Sequence, residues 1–252
     1  MLLAIDIGNS TVKFGVFDRA KLIEKFSLPT VRHQTAAEFS SLLKEKLPES
    51  AAAVVISSVV PELNAALEKF SLERFGVAPV FVTHELGFMK INYQPPENLG
   101  TDRLVAAFAA REKYGAPCIV GDFGTATTID VVGADGRFEG GVIVAGIDLL
   151  ADALFQKTSK LPRIEIKKAE NVIGRSTVEA INSGIYFGYI GLTDGIIEQM
   201  TRKLGAKPKI VATGGFASLI ADGSKFIELC DENLMLDGLR LIYEKISRET
   251  KT

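Results

Sequence analysis

Asp6-Ile-Gly-Asn-Ser-Thr11, close to the start of the chain, returns in form as Asp122-Phe-Gly-Thr-Ala-Thr127, 116 residues further on. Each copy follows a short apolar run, Leu2 to Ile7 and Pro117 to Val120, and leads into an alternating segment, Val12 to Phe17 and Thr128 to Val132. A continuous apolar run beside a period-two alternation reads as one strand laid against another. Turn residues follow at Asp18-Arg19-Ala20-Lys21 and at Ala134-Asp135-Gly136-Arg137, then third strands at Leu22 to Leu28 and Phe138 to Val144. Each half therefore opens as a three-strand antiparallel meander with its acid-glycine turn at the first corner. The repeat predicts an α/β chain built as two halves of one design, residues 1–115 and 116–252, with the boundary at Gly115-Ala116-Pro117.

Beyond each meander the period changes. Ala36 to Leu47 and Pro61 to Phe75 read as helices, Ala52 to Ser57 as a buried strand and Val80 to Val82 as a short one, with a further helix over 102–114. The second half echoes this order more loosely. Ile147 to Phe155 and Ser176 to Leu204 read as helices, Ile210 to Thr213 as a strand, and Leu234 to Ser247 as a closing helix with the option of packing back on the first half.

The composition excludes several chemistries. With 47% hydrophobic and 24% charged residues the chain of 252 is an ordinary globular one, and a net charge of -2 with no basic stripe gives no reason to expect nucleic acid or an anionic membrane as partner. No apolar stretch approaches the length of a bilayer span, and Met1 to Asp6 lacks the basic region of a signal peptide, so a cytoplasmic location is expected. The 23 glycines form no Gly-x-Gly pair and no Gly-Lys dipeptide, which removes the dinucleotide fingerprint and the Walker A loop. His33 and His84 alone cannot build a histidine zinc site, and there is no Gly-x-Ser-x-Gly elbow. Cys118 and Cys230 are expected to be two buried free thiols.

A turn of Gly, Asn, Ser and Thr between two strands presents backbone N–H groups and hydroxyls in a concavity that suits phosphate oxygens without positive charge. Ser10, Thr11 and Lys13 are the side-chain donors available there. Asp6 repels phosphate directly, so its functional reading is to anchor, through water, a Mg2+ that carries the nucleotide phosphates. Such turns are also ordinary hairpin chemistry, and it is the second copy at a matched position that favours phosphate binding. The two turns resemble the first and second phosphate motifs of the actin-like ATPase and kinase superfold, and Ala212-Thr213-Gly214-Gly215-Phe216 its adenosine motif. That resemblance implies actin-like (ribonuclease H-like) duplicated domains, each a mixed sheet flanked by helices, with an interdomain cleft.

Tyr93-Gln-Pro-Pro-Glu-Asn-Leu-Gly-Thr-Asp-Arg103 narrows this further, because it is similar to the Pro-x-x-Leu-Gly-x-Asp-Arg signature of type III pantothenate kinases. Asp6 to Gly15, Asp122 to Asp130, Gly140 to Gly146 and Gly174 to Gly188 continue the resemblance over nearly the whole chain, with one departure at Ala145, where that family usually carries proline. The resemblance implies ATP-dependent phosphorylation of pantothenate. It implies that Asp6, Ile7, Gly8, Asn9, Ser10, Thr11, Val12 and Lys13 hold the ATP phosphates, that Thr125 adds a hydroxyl to the nucleotide, and that Tyr93, Gly100, Thr101, Asp102, Arg103 and Thr177 line the pantothenate site. Asp102 is then the general base, Arg103 the partner of the substrate carboxylate, and Asp122 a ligand of a monovalent cation, K+ or NH4+. From the residues alone, Thr101 reads as the N-cap of the helix that follows, and an aspartate in a first turn needs no function, since the helix dipole favours it by about 0.3 to 1 kcal/mol.

In the long helix Gly184, Gly188, Gly191 and Gly195 share one face. Four glycines forfeit about 1 kcal/mol each against alanine unless close backbone contact offsets it. Either this face presses on the chain's own sheet or helices, or it meets another subunit; the family resemblance implies a homodimer in which Thr177 completes the partner's substrate site. Two other readings stay open: a kinase of the same superfold acting on a sugar or acyl acid, and a ligand-binding regulator without turnover, since relatives of this family have been described as accessory regulators of transcription.

Overall fold

A computed structural model describes residues 1–249. The chain forms two compact units, one of Met1–Lys90, Gln94–Ala109 and the chain from Leu234 on, the other of Ile91–Tyr93 and Ala110–Asn233. Each holds a five-stranded mixed sheet.

In the first unit β1 (Leu2–Ile7), β2 (Thr11–Asp18) and β3 (Lys21–Pro29) form the antiparallel meander, and β4 (Ala53–Ser58) and β5 (Val80–Phe81) extend it in parallel on the other side of β1, in the order β3-β2-β1-β4-β5. All six residues of β1 are buried, as a continuous apolar run predicts for a central strand covered on both faces. Leu3, Ile5 and Ile7 join Val54 and Ile56 of β4 in a core closed by α1 (Ala36–Leu43) and α2 (Asn64–Phe75), where Phe39 and Phe70 are buried. Full burial of such side chains contributes about 1.5–3 kcal/mol each. Thr35 caps α1 in a reciprocal box with Glu38, which fixes the start that the hydrophobic period alone leaves open. α3 (Thr101–Tyr114) follows, its residues to Ala109 belonging to this unit.

The second unit repeats the plan. β6 (Cys118–Phe123), β7 (Ala126–Val132) and β8 (Phe138–Ala145) make the meander; after α4 (Ile147–Lys157) and α5 (Thr177–Leu204) come the parallel strand β9 (Lys209–Thr213), α6 (Ala217–Ala221) and a second parallel strand, β10 (Leu229–Cys230). The order β10-β9-β6-β7-β8 is that of the first sheet, strand for strand. Even the bulge recurs, between Val16 and Phe17 in one meander and between Val131 and Val132 in the other. β10 escapes the sequence reading because two residues carry no periodicity.

The closing helix α7 (Leu234–Glu249) takes the option that the sequence left open and belongs to the first unit, where it packs on β1 and β4 and where Gly238 lets it approach Val105 and Ala109 of α3. An amphipathic helix goes to whichever sheet face lacks cover, and its place in the chain does not decide which. Cys118 is buried as expected, with burial pushing its thiol up to about 12, but Cys230 is exposed, at the end of a two-residue strand on the edge of the sheet.

Candidate functional site

In the first unit the structure draws together the first acid-glycine turn and the start of α3. Ile7 pairs with Val12 across the hairpin, so the turn is Gly8 to Thr11, closed by the Gly8 N–H donating to the Thr11 carbonyl at 3.0 Å. Asn9, Ser10 and Thr11 are exposed, whereas Ile7 and Val12 put their side chains into the core and offer the site only their backbone. Thr30, just after β3, braces the turn: its hydroxyl donates to the Gly8 carbonyl at 2.7 Å and its N–H to the Ser10 carbonyl at 3.0 Å. Sequence reasoning missed Thr30, because 22 residues separate it from Gly8 and it belongs to no motif. Asp6 is 7% exposed and stands in register with Lys13 of β2 and Ser57 of β4.

α3 begins differently from expectation. The Gly100 carbonyl accepts the first helical bond, from Leu104 N–H at 3.2 Å, so Gly100 occupies the cap position and Thr101 is already helical. The Thr101 hydroxyl donates to the Ser58 carbonyl at 3.2 Å and lies 3.2 Å from Ser57 Oγ, so it ties the helix to β4 in place of capping it. Asp102 sits in the first turn as predicted, with Oδ1 accepting from Arg103 N–H at 2.8 Å. A Cβ on Gly100 would stand 2.5 Å from that same Oδ1, so only glycine leaves room for the carboxylate. Arg103 is 6% exposed.

In the second unit three loops converge. Asp122 lies within β6, opposite Thr128 of β7 and Thr213 of β9, and the turn beyond it spans the three residues between the paired Phe123 and Thr127, one fewer than its counterpart at Gly8 to Thr11. Thr127 is consequently buried where Thr11 is exposed, while Thr125 stands exposed at the tip. Gly146 N–H donates to the Thr125 carbonyl at 3.1 Å, at the start of α4, and Phe216 N–H to the Phe123 carbonyl at 3.1 Å. Gly214, with φ +95°, packs so tightly that a Cβ there would be 2.5 Å from Asp122 Oδ1. The residues read as an adenosine motif and those read as a second phosphate motif are thus neighbours.

Tyr93 is half-buried in the second unit with its ring edge-on to Phe138, centroids 6.2 Å apart. Thr177 is exposed in the first turn of α5, whose N-cap Ser176 accepts from Glu179 N–H at 3.2 Å. The glycine face of α5 is decided by the structure: Gly184, Gly188, Gly191 and Gly195 are all exposed, and a Cβ on any of them would meet nothing within 4 Å among the described residues. That removes the reading in which the stripe presses on the chain's own sheet or helices. Among the described residues no three His, Cys, Asp or Glu side chains stand together as a metal cluster. Mg2+ ordinarily keeps several waters and takes one or two carboxylates beside substrate phosphates, and the single carboxylate of Asp6 fits that donor set. No described helix is long and apolar enough to cross a membrane.

Comparison with known proteins agrees with this geometry. A crystal structure of a Baf family protein from Campylobacter jejuni superposes with a TM-score of 0.65 at 21% identity, covering 98% of this chain and 99% of that one. MreB 5 of Spiroplasma citri bound to AMPPNP gives a TM-score of 0.56 at 11% identity over 99% of this chain and 98% of that one, so the fold is the actin-like one. A type III pantothenate kinase of Koribacter versatilis (strain Ellin345) is 42% identical over 268 aligned residues, which take in 100% of this chain and 98% of that relative. The model of the type III pantothenate kinase family matches residues 2–199, a stretch that holds both acid-glycine turns, the Asp102 helix start and most of α5, and the chain belongs to that family.

Proposed function

We propose that the chain transfers the γ-phosphoryl group of ATP to the primary hydroxyl of pantothenate, with Asp102 as the base, giving 4'-phosphopantothenate for coenzyme A synthesis. The observation that carries the assignment of the base is the seating of its carboxylate against Gly100 in the first turn of α3, on a helix start tied to the strand beside Asp6. Phosphoryl transfer asks for alignment and charge neutralisation more than for covalent chemistry. The Asp102 carboxylate takes the proton of the acceptor hydroxyl, whose oxygen bonds to the γ-phosphorus as the bond to the bridging oxygen breaks and ADP leaves.

The remaining roles follow the chemistry of each group. Asn9, Ser10, Thr11 and Lys13, with the backbone of Ile7, Gly8 and Val12, hold phosphate oxygens, and Thr125 contributes a second hydroxyl to the nucleotide. Mg2+, held through water by Asp6, neutralises phosphate charge when bound, and Asp122 serves a monovalent cation, K+ or NH4+, which neutralises without demanding octahedral geometry. Arg103 pairs its planar fork with the pantothenate carboxylate, and Tyr93, Gly100, Thr101 and Thr177 complete the pocket. The exposed glycine face of α5 supports a homodimer in which Thr177 serves the partner's substrate site, and the setting is cytoplasmic.

Asp102→Asn tests this reading. The variant should keep its thermal stability and its ATP binding, while pantothenate-dependent ADP release falls at least about 100-fold. Retained turnover would remove Asp102 from the mechanism. Release with a sugar or acyl acid but not with pantothenate would overturn the choice of substrate.

A further inference from the structure

Ser57 belongs to no motif that the sequence singles out, yet it occupies the joint between the phosphate strand and the base. It is 0% exposed at the end of β4 and stands in parallel register with Asp6. Side chains alternate along a strand, and Leu3, Ile5 and Ile7 of β1 with Val54 and Ile56 of β4 face the core under α1 and α2. Asp6 and Ser57 therefore project together from the opposite face, the one on which α3 starts.

The direction of the hydrogen bonds there is fixed by counting protons. Thr101 has one hydroxyl proton, and it goes to the Ser58 carbonyl at 3.2 Å. The contact of 3.2 Å between Ser57 Oγ and Thr101 Oγ1 must then be donated by Ser57. Serine donates to threonine and threonine to the strand carbonyl, a two-bond clasp that fastens the first residue of α3 to β4. Asp102 is the next residue; its Oδ1 accepts from the Arg103 N–H at 2.8 Å and lies 2.5 Å from where a Cβ on Gly100 would stand. A shift of the helix start carries the carboxylate with it, and that shift is what the clasp opposes.

We propose that Ser57 is a positioning residue for phosphoryl transfer: its hydroxyl, through Thr101, sets where the Asp102 carboxylate stands relative to the strand that carries Asp6. The proposal rests on Asp102 being the base. Ser57 itself is 0% exposed, so its effect on the reaction runs through Thr101. A buried hydroxyl bond contributes about 0.5–1.5 kcal/mol, which sets the scale of the effect at up to about tenfold in rate.

The experiment is a double-mutant cycle on turnover of pantothenate with ATP. Ser57→Ala should lower kcat about three- to tenfold with both KM values within about twofold of the parent. In an Asp102→Asn background the same change should have no further effect, because the group it positions has gone. Ser57→Cys, close to serine in size but a far weaker donor, should lower kcat in the same direction with both KM values unchanged, and this covers the case in which Ser57→Ala folds poorly. If Asp102→Asn is inactive while Ser57→Ala and Ser57→Cys turn over like the parent, the positioning role falls and the base assignment stands. If Ser57→Ala lowers the residual rate of Asp102→Asn by its full factor, Ser57 acts elsewhere and the proposal falls. If Asp102→Asn keeps its activity, the reading beneath the proposal falls with it.

Discussion

At Gly100 the chain passes so near the carboxylate of Asp102 that one added methyl would stand 2.5 Å from Oδ1. Real contacts of that kind do not persist, so Gly100→Ala has to turn the carboxylate or shift the first turn of α3. Neither movement opens the core, since Gly100 and Asp102 are both only partly buried. The expected outcome is a folded protein, within about 1 kcal/mol of the parent in thermal or urea denaturation, whose kcat falls at least tenfold, in line with the cost of misplacing a reacting group. Full activity in Gly100→Ala would mean that the tight seating of Asp102 has no part in turnover. The residue scale is also where the two acid-glycine motifs part company. The second turn is one residue shorter, so Thr127 is buried where Thr11 is exposed, although the two threonines hold the same place in the sequence repeat.

Among the elements, the end of α3 is tied to the segment that leads from β10 towards α7. Asp231, 9% exposed, accepts from Tyr114 Oη at 2.8 Å and pairs with Lys113 Nζ at 2.5 Å, and its Oδ1 accepts from Asn233 N–H at 3.0 Å. Burial pushes its carboxyl up, but the hydrogen bonds from Lys113 and Tyr114, the Lys113 charge and the Asn233 N–H together outweigh burial and hold it below its ordinary value of 3.8. A carboxyl depressed in the folded state contributes stability that is present above the ordinary value and lost as the pH falls through the folded one. Asp231→Asn should therefore lower the Tm at neutral pH, and the difference from the parent should shrink as melts are taken below about pH 4. A difference that stays constant down to about pH 3 would show that the charge of Asp231 contributes nothing. α5 shows the same division of labour on one helix. Its inner face buries Tyr186, Tyr189, Ile190 and Ile197, and Asp194 accepts from Ser224 Oγ and Lys225 N–H, while its outer face carries four glycines over open space.

For the whole molecule, an exposed stripe of glycines on a helix of 28 residues costs stability that the single chain does not recover, about 1 kcal/mol at each position. In the proposed homodimer, a second copy laid against that face would recover it by close backbone approach. Gly188→Glu, at a position where an added Cβ meets nothing within 4 Å among the described residues, should leave the far-UV circular dichroism unchanged, sediment as a monomer and lose turnover with Thr177. A monomer that keeps full turnover would defeat the shared site. The sequence by itself determined that two matched meanders exist, that each carries an acid-glycine turn, and that Asp102 lies in a first helical turn, because strand alternation, turn chemistry and helix starts are settled among near neighbours. It could not place α7 on the first sheet, expose Cys230, find β10, or join Ser57 to Thr101 across 44 residues and Thr30 to Gly8 across 22. Those contacts depend on which sheet face lacks cover and on which hydroxyl lies within reach once the strands are packed, and only the tertiary structure decides either.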